Sequence, residues 1–338
     1  MFDRNRLLQL TEAMKGKLVV VYGDIVADRF IYGTPKRISR EAPVLILRQY
    51  RDDVLLGGAG NAINNILSLG GIPIPVSVLG RDLVSDELVN QLTTEGVDCS
   101  GILRVDRYNT PTKVRILGGM PHSTRQQIVR YDIEDEIAID TAEAAEFATR
   151  LREQLARAHA ALISDYGYGV VTPELAENLT ASANGKPVTL DSRYNLLRFR
   201  NVTAATPNEE EAEKAAGVSL FGNGDDKVGA VAATLQKSLG SDAVLITRGS
   251  RGMALYERDR KEPLLIPVYG TDQVADVTGA GDTVIATFTL ALAAGGSYAE
   301  AAKLANYAGG IVVMKMGTAT VSHDELRHAI DRDEELND

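Results

Sequence analysis

The chain has 338 residues, and 44% of them are hydrophobic, which is ample for a large folded core. Its formal net charge of −10 argues against binding to nucleic acid or to an anionic membrane by bulk electrostatics. Because Cys99 is the only cysteine, the chain can form neither an intrachain disulfide nor a thiolate metal cluster, and its four histidines lack the helical pairing of a zinc site.

The sequence shows no pattern of export or of membrane insertion. Its first residues carry charges with no apolar stretch of signal-peptide length behind them. The longest apolar run, residues 284–294, is well short of the roughly 20 residues that span a bilayer. We therefore expect a cytoplasmic protein whose partners are small molecules, and neither nucleic acid nor membrane.

Short β-branched runs alternate with helical patterns along the chain. Strands are predicted at residues 18–22, 75–79, 160–164, 187–190 and 243–247. Helices are predicted at residues 59–69, 86–95, 174–183, 209–216, 228–239 and 284–294. This alternation predicts an α/β fold with a mostly parallel sheet and helices on both of its faces.

Two stretches, at about residues 30–54 and 112–132, interrupt this alternation. Polar and apolar side chains alternate within them, for example at residues 113–117, which indicates extended strands without an intervening helix. Such a small β insertion could cover a pocket as a lid, or it could be an edge hairpin, and the pattern alone favours neither. We predict one domain over residues 1–338 that carries both insertions.

The most informative segment precedes the last predicted helix. Gly279, Ala280 and Gly281 leave backbone N–H groups uncovered, so a turn here can direct several donors and the positive end of a helix at one anionic oxygen cluster. Asp282 lies where these donors converge. It could accept the proton of a substrate hydroxyl while the amides stabilise a transferred phosphoryl group, or it could only cap the helix.

Two polar segments near the amino terminus are candidates for ligand contact. Gly57 and Gly58 would let the backbone approach a ligand, and Asn61 offers both a donor and an acceptor for sugar hydroxyls, although a flexible turn before a helix explains them equally well. Asp24 and Asp28 follow the first predicted strand, at the sheet edge where α/β proteins bind ligands. Either could bind hydroxyls or only satisfy backbone N–H groups in the turn.

A polar turn begins the helix predicted at residues 209–216. Glu209 and Glu210 suit the positive end of the helix, which is a purely structural explanation. Asn208 and Glu211 are three residues apart and could jointly face the phosphates of a nucleotide and the water shell of its magnesium ion. The strand at residues 243–247 then runs into another glycine-containing turn.

With these loops in this order, residues 18–322 resemble the ribokinase-like carbohydrate kinases, also called the phosphofructokinase-B type. Its amino-terminal signature is matched by Gly57, Gly58, Asn61, Gly70 and Gly80. Its carboxy-terminal signature is matched by Asp276, Gly279, Ala280, Gly281, Asp282 and Ala286. Its Asn-x-x-Glu motif and nucleotide loop are matched by Asn208, Glu211, Thr247, Gly249 and Gly252. Ile63 and Thr287 depart from the small residues usual there, which concerns helix packing more than chemistry.

The resemblance implies a three-layer α/β sandwich with a mostly parallel central sheet and a small β-strand lid. It implies ATP and Mg²⁺ as cofactors, Asp282 as the base, and a homodimer joined through the lid strands. The residues implied to contact the sugar are Asp24, Asp28, Gly57, Gly58, Asn61, Arg115, Gln127, Arg130 and Asp165. Those implied to bind ATP are Asn208, Glu209, Glu210, Glu211, Thr247, Gly249, Gly252 and Asn306, with Glu211 acting on the metal through water. Arg115, Gln127 and Arg130 could instead be solvated lid residues.

Within the family, longer segments resemble the heptose 7-phosphate kinases that feed ADP-heptose synthesis for lipopolysaccharide. These segments are residues 23–33, 37–44, 112–115, 126–132, 164–166 and 315–321. The resemblance implies transfer of the ATP γ-phosphate to the anomeric hydroxyl of D-glycero-D-manno-heptose 7-phosphate, which gives the 1,7-bisphosphate. Bifunctional members of that subfamily continue into a nucleotidyltransferase domain, so we expect this chain to be the kinase alone.

Two departures from the subfamily concern the substrate. Tyr168 stands where a lysine is usual and Arg40 where a proline is usual, and the lost cation could weaken a phosphate contact unless Arg193 replaces it. The alternatives are another kinase of the family, acting on ribose, a hexose or a hexose phosphate, and a non-catalytic sugar or nucleotide sensor. The intact Asp282 argues against a sensor, because a protein that only binds has no need of the base.

Overall fold

The computed structural model describes residues 2–120, 125–220, 227–270 and 275–337. Its helices are α1 (Arg4–Ala13), α2 (Ala59–Ser68), α3 (Leu83–Thr94), α4 (Thr141–Arg157), α5 (Pro173–Ala181), α6 (Glu209–Ala216), α7 (Val228–Leu239), α8 (Ala280–Ala293), α9 (Tyr298–Val312) and α10 (His323–Arg332). Its strands are β1 (Leu18–Gly23), β2 (Ile25–Ile38), β3 (Leu45–Gly58), β4 (Ile72–Gly80), β5 (Ile102–Val105), β6 (Thr112–Gly118), β7 (Gln126–Ile133), β8 (Ala160–Asp165), β9 (Val188–Ser192), β10 (Ala204–Ala205), β11 (Ala243–Thr247), β12 (Met253–Glu257) and β13 (Leu264–Ile266).

Across the described ranges, nine strands form the main sheet in the order β13-β12-β11-β10-β9-β8-β1-β4-β5. Neighbouring strands from β11 to β5 are parallel, whereas β12 and β13 add an antiparallel edge. Parallel strands direct their carboxyl ends to one edge of the sheet, so the loops after β1, β8, β9 and β11 lie on the same side of the molecule. The predicted mostly parallel sheet is confirmed.

Helices cover both faces of the main sheet, and β1 shows why. Val19 and Val21 pack into one apolar core with α1, α2, α3, α8, α9 and α10. Val20 and Tyr22 point the other way, into a second core with α4, α5, α6 and α7. Successive side chains of a strand alternate between faces, so an apolar run buries both sides at once. The result is the predicted three-layer arrangement.

The helix α8 begins earlier than its apolar pattern predicts. The pattern starts at residue 284, but the structure adds a first turn from Ala280, preceded by Gly279 with φ +77°. Small residues and an acid carry no apolar periodicity, so this turn could not be recognised as helical by pattern. The remainder of α8 is buried, as expected for a helix that is apolar on all sides.

A second sheet has the order β3-β2-β6-β7 and contains strands from both predicted insertions, although residues 121–124 of the second insertion lie outside the described ranges. Its strands extend beyond the predicted limits, from Ile25 to Gly58 and as far as Ile133. Because β1 ends at Gly23 and β2 begins at Ile25, this sheet rises directly from the carboxyl edge of the main sheet. Among the described helices, none combines the length and apolar character that crossing a bilayer requires.

Candidate active site

A cavity of about 600 Å³ lies between the carboxyl edge of the main sheet and the second sheet. The second sheet lines it with side chains of β2, β6 and β7, and the main sheet with residues at the ends of β8, β9 and β11. The first turns of α6 and α8 complete the wall. Its volume suits a small-molecule site, at the edge where ligands of parallel sheets bind.

Asp282 lies in the first turn of α8, and although it is only 2% exposed it borders this cavity. The Tyr166 hydroxyl donates to its Oδ1 at 2.8 Å, and the Asn61 amide donates to its Oδ2 at 3.1 Å. Within the described residues, its carboxylate therefore accepts its hydrogen bonds from side chains of other elements. This geometry disfavours the alternative in which Asp282 only caps its helix.

The turn before Asp282 requires glycine at one position and leaves space at another. An added Cβ at Gly279 would lie 2.4 Å from Asn61 Nδ2, and the residue has a left-handed φ. At Gly281 such an atom would meet nothing within 4 Å. The N–H of Ala280, predicted to face a phosphoryl group, donates to the Val277 carbonyl at 3.2 Å instead. The amides of the two glycines and of Asp282 remain the predicted donors.

Burial raises the pKa of Asp282 to about 7. The hydrogen bonds from Asn61 and Tyr166 favour the ionised carboxylate and lower this pKa, while the charge of Asp28 raises it and that of Lys113 lowers it. A carboxyl group with a pKa near neutrality is suited to accept a proton at that pH.

Asp24, predicted to contact a sugar, is 1% exposed and holds the loop that follows β8. Its Oδ2 accepts hydrogen bonds from the N–H groups of Tyr166 at 2.7 Å and Tyr168 at 3.4 Å. Its Oδ1 accepts one from Val170 at 3.2 Å. This is the alternative in which the carboxylate satisfies backbone N–H groups, although they belong to a loop 142 residues away and not to its own turn.

Asp165, like Asp24, has hydrogen bonds that stabilise the fold. Burial raises its pKa, and its carboxylate accepts hydrogen bonds from the Ser192 hydroxyl at 2.6 Å and the Gly167 N–H at 3.0 Å. It nevertheless borders the cavity, so its predicted contact with the substrate stays a prediction.

Asp28 pairs with Arg115 where the second sheet meets the cavity, with 2.5 Å between Oδ1 and Nη1. Lys113 lies opposite Asp28 on the parallel strand β6, and all three side chains border the cavity. Burial lowers the pKa of Lys113. Sequence reasoning missed Lys113 as a site residue, because a lysine in an alternating strand is typical of a solvated face.

Gly57 and Gly58 let the backbone approach side chains of the site. An added Cβ at Gly57 would lie 2.4 Å from Asp28 Oδ2, and one at Gly58 would lie 3.3 Å from the Tyr166 ring. Asn61 is fully buried, and its amide also donates to the carbonyl before α8 at 3.1 Å. In the structure Asn61 therefore positions the buried carboxylate, and its predicted contact with a sugar stays a prediction.

The predicted Asn-x-x-Glu pair forms a capping box at the start of α6. Asn208 Oδ1 accepts from the Glu211 N–H at 2.9 Å, and Glu211 Oε2 accepts from the Asn208 N–H at 2.9 Å. Both residues, with Glu210 and Thr247, also border the cavity. The box thus fixes the positive end of α6 at the cavity, an arrangement suited to a phosphate.

Four residues predicted to bind ATP lie outside the lining of this cavity: Glu209, Gly249, Gly252 and Asn306. Glu209 pairs with Arg248 at 3.1 Å and Arg251 at 2.5 Å. The two glycines have positive φ in the turn between β11 and β12. Asn306 donates to the Pro267 carbonyl at 2.8 Å. Their contact with ATP stays a prediction.

Asp191 is a site residue that sequence reasoning missed. It lies near the end of β9, and burial raises its pKa well above the ordinary range, as do the charges of Glu211 and Asp282, whereas Arg193 lowers it. Burial also raises the pKa of Glu211. The carboxyl groups of Asp191 and Glu211 border one cavity and interact with each other, an arrangement that favours a bound cation. The strand-end rule that selected Asp24 would also have selected Asp191, which directly follows a predicted strand.

Among the described residues, no group of three or more ligating side chains could hold a metal ion by itself. Magnesium, however, commonly takes one or two carboxylates and completes its shell with water and substrate phosphates. Asp191 and Glu211 fit that mode of binding.

Gln127 borders a second cavity of about 890 Å³, together with Tyr32 and Arg51. Arg115 borders both cavities, whereas Arg130 borders the first and donates two hydrogen bonds to the carboxylate of Asp132. The structure therefore does not place Gln127 in one cavity with the buried carboxylate of α8.

Tyr168, Arg40 and Thr287, which depart from the family or subfamily pattern, are not among the residues that line the cavity. The Tyr168 hydroxyl donates to Glu134 at 3.0 Å, and Arg40 is exposed between β2 and β3. Thr287 donates to the carbonyl one turn earlier in α8 at 2.8 Å, so a hydroxyl is accommodated where a smaller residue is usual.

Comparison with known sequences identifies relatives over most of the chain. A family model described as "pfkB family carbohydrate kinase" matches residues 17–325. The bifunctional protein HldE of Mesorhizobium japonicum is 39% identical over 94% of this chain and 62% of its own length. That of Caulobacter vibrioides is 40% identical over 95% of this chain and 65% of its own. The chain thus spans about two thirds of the length of these relatives.

Solved structures share the fold. The ribokinase of Arabidopsis thaliana complexed with ribose and ATP superposes with a TM-score of 0.70 at 21% identity, over 94% of this chain and 99% of that one. Phosphofructokinase-2 of Escherichia coli, in complex with substrates and products, gives a TM-score of 0.72 at 19% identity over 93% and 98%. The expected ribokinase-like fold is confirmed.

Replacing Gly279 by alanine should lower the free energy of unfolding by roughly 1–3 kcal/mol. The alanine would have to adopt a left-handed backbone conformation. Its Cβ would also lie 2.4 Å from Asn61 Nδ2, so the Asn61 amide would have to move. The matched control is Gly281→Ala two residues later, where a Cβ meets open space, and its stability should be unchanged or higher. Urea unfolding of both variants measures the difference, and equal stabilities would contradict this account of the turn.

Proposed function

The chain belongs to the pfkB family of carbohydrate kinases, and on that basis we propose that it transfers the γ-phosphoryl group of ATP to the anomeric hydroxyl of D-glycero-D-manno-heptose 7-phosphate. The product would be the 1,7-bisphosphate, an intermediate of ADP-heptose synthesis for the lipopolysaccharide core. Among the sugars used in the family, the heptose is supported by the long resembling segments and by the similarity to proteins named HldE. Because ATP is the donor, we expect the reaction in the cytoplasm.

The observation that carries the proposal is the orientation of Asp282. Its carboxylate would accept the proton of the anomeric hydroxyl, whose oxygen attacks the γ-phosphorus. The bond from that phosphorus to the β–γ bridging oxygen then breaks, and ADP leaves. Backbone N–H groups of the first turn of α8, with the positive end of the helix, would stabilise the charge on the transferring phosphoryl group.

Each side of the cavity would bind one of the two substrates. Asp28, Lys113 and Arg115 belong to the second sheet, which would close over the sugar as a lid. ATP would lie along the other side, between the start of α6 and the end of β11, where Asn208 and Thr247 border the cavity. Asp282 borders the same cavity and would act on the sugar from there as the base.

A magnesium ion fits the acidic part of the cavity. Asp191 and Glu211 would hold it, Glu211 through water, while phosphate oxygens of ATP provide other ligands. When bound, it neutralises charge on the β- and γ-phosphates.

We also propose that the second sheet joins two copies of the chain. Val129, Tyr131 and Ile133 are two residues apart on β7 and all exposed, on the face opposite Arg130, which borders the cavity. Three apolar side chains in a row on a sheet face are typical of a surface that another chain covers.

Purified chain with ATP and magnesium should turn over heptose 7-phosphate in preference to ribose, fructose and fructose 6-phosphate. ADP release measures turnover, a sample without sugar gives the background, and ³¹P NMR of the product should place the new phosphate on carbon 1. Preference for another sugar would support the assignment as a kinase but replace heptose 7-phosphate as its substrate. No turnover with any of the four would contradict the heptose assignment and favour an untested sugar or a sensor.

The Val129→Asp variant should sediment as a monomer where the wild type sediments as a dimer, because it puts a charge in the apolar row. Val218→Asp is the matched control, since Val218 is equally exposed, 44% against 46%, but lies after α6. Sedimentation velocity distinguishes the states. A monomeric wild type, a dimer that survives the Val129 substitution, or a control that is also monomeric would count against this interface.

A further inference from the structure

Tyr166 lies immediately after β8, with its ring at the cavity wall and its hydroxyl on the carboxylate of Asp282. The mechanism above requires the carboxylate but assigns no task to this phenol. Each carboxylate oxygen accepts one of the two hydrogen bonds described, Oδ1 from Tyr166 and Oδ2 from Asn61. Rotation of the carboxylate would break both bonds, and each oxygen keeps a further lone pair for a proton.

The backbone of Tyr166 is fixed by a buried acid. The N–H of Tyr166 donates to Asp24 at 2.7 Å, and the same carboxylate binds the N–H groups of Tyr168 and Val170. A buried carboxylate is costly unless it is fully hydrogen-bonded, so three donors from one loop tie that loop firmly to the end of β1. The position of the phenol is therefore set by the main sheet.

The ring of Tyr166 is also confined by its neighbours. Gly58 leaves room beside it, since an added Cβ there would lie 3.3 Å from the ring. The Lys113 ammonium lies 5.2 Å from the ring centroid, within the range of a cation–π contact. A side chain confined in this way can hold its hydroxyl in one place relative to Asp282.

We propose that Tyr166 is a positioning residue for phosphoryl transfer, whose hydroxyl holds the Asp282 carboxylate in its reactive orientation and favours its ionised form. The inference rests on the proposed function, because it takes Asp282 as the base. It does not depend on which sugar is the acceptor.

The charges around the pair agree with this role. Burial, together with the charge of Asp282, raises the pKa of Tyr166 well above its ordinary value, so the phenol stays protonated and donates. Asp28 and Lys113 face Asp282 from the second sheet and act on its pKa in opposite directions, while Asp191, near the end of β9, is the acid of the main sheet whose charge interacts with it. The hydrogen bonds from Tyr166 and Asn61 are thus the main influences that oppose the effect of burial.

The test is Tyr166→Phe, which removes only the hydroxyl. Loss of a donor to the ionised carboxylate makes ionisation less favourable, so the acid limb of the kcat–pH profile should move up by about one pH unit. Above both pKa values the ionisation difference disappears, and kcat should remain about ten-fold lower because the carboxylate is less well oriented. The KM values for ATP and for the sugar should stay close to those of the wild type.

The matched control is Tyr168→Phe, two residues later in the same loop. Its hydroxyl donates to Glu134 and not to Asp282, so its kcat–pH profile should follow the wild type. The profile is measured with whichever sugar of the panel is turned over, so a wrong substrate assignment leaves this test intact. A Tyr166→Phe profile that coincides with that of the wild type would overturn the inference.

A titration that needs no turnover separates this inference from the proposed function. The Asp282 carboxyl is followed by ¹³C NMR in protein labelled at its aspartates, with Asp282→Asn assigning the signal. An upward shift of its pKa in Tyr166→Phe, absent in Tyr168→Phe, supports the inference even if every sugar fails. An unshifted pKa in an active enzyme refutes it while leaving the kinase in place.

Discussion

The site depends on a single buried carboxylate, that of Asp282, which is held by one hydrogen-bond donor on each oxygen. Burial alone would favour the protonated acid and raise its pKa beyond use, and the donors from Asn61 and Tyr166 offset this effect. These donors are 221 and 116 residues away in sequence. Only the complete fold, with α2, β8 and α8 packed together, brings the three groups within hydrogen-bond distance.

The same constraint explains other features around the site. Gly279 must lack a side chain because Asn61 fills that space, and Gly57 because Asp28 fills the corresponding space. Asp24 is buried so that the loop after β8 stays in place. The second sheet rises from the end of β1 and brings Arg115 and Lys113 to a cavity that Asp282, Asp191 and Glu211 also line. Gly279, Gly57 and Asp24 therefore contribute by making room for other residues of the site or by holding them in place.

Regular elements with strong periodicity could be predicted from sequence, while elements and contacts without such a signal could not. The bounds of α6 and α7 agree with the prediction to the residue, since each begins and ends with its pattern. Helix α4 was missed although Phe147, Leu151 and Leu155 form an apolar stripe at helical spacing and Asp140 caps its start. The first turn of α8, in contrast, carries no apolar signal. Asp282 and its glycines could be selected because a phosphate-binding turn is local in sequence.

The partners of Asp282 could not be selected in the same way. Asn61 fitted a sugar contact as well as a structural one, and Tyr166 carries no local pattern that indicates its neighbour. For Asp24 the sequence offered a ligand contact or hydrogen bonds within its own turn, and its actual partners in a distant loop followed only from the strand order. Long-range hydrogen bonds between side chains have no periodicity, so they appear only once the sheet is assembled.

The most direct test of the account is the single-turnover rate of phosphoryl transfer in Asp282→Asn, compared with ATP affinity measured by calorimetry. The account predicts a fall in rate of at least about 100-fold, because the amide cannot accept the proton, with ATP affinity unchanged. Asp259→Asn, an exposed acid in the turn after β12, should behave as the wild type. An Asp282→Asn enzyme that turns over at the wild-type rate would contradict the account.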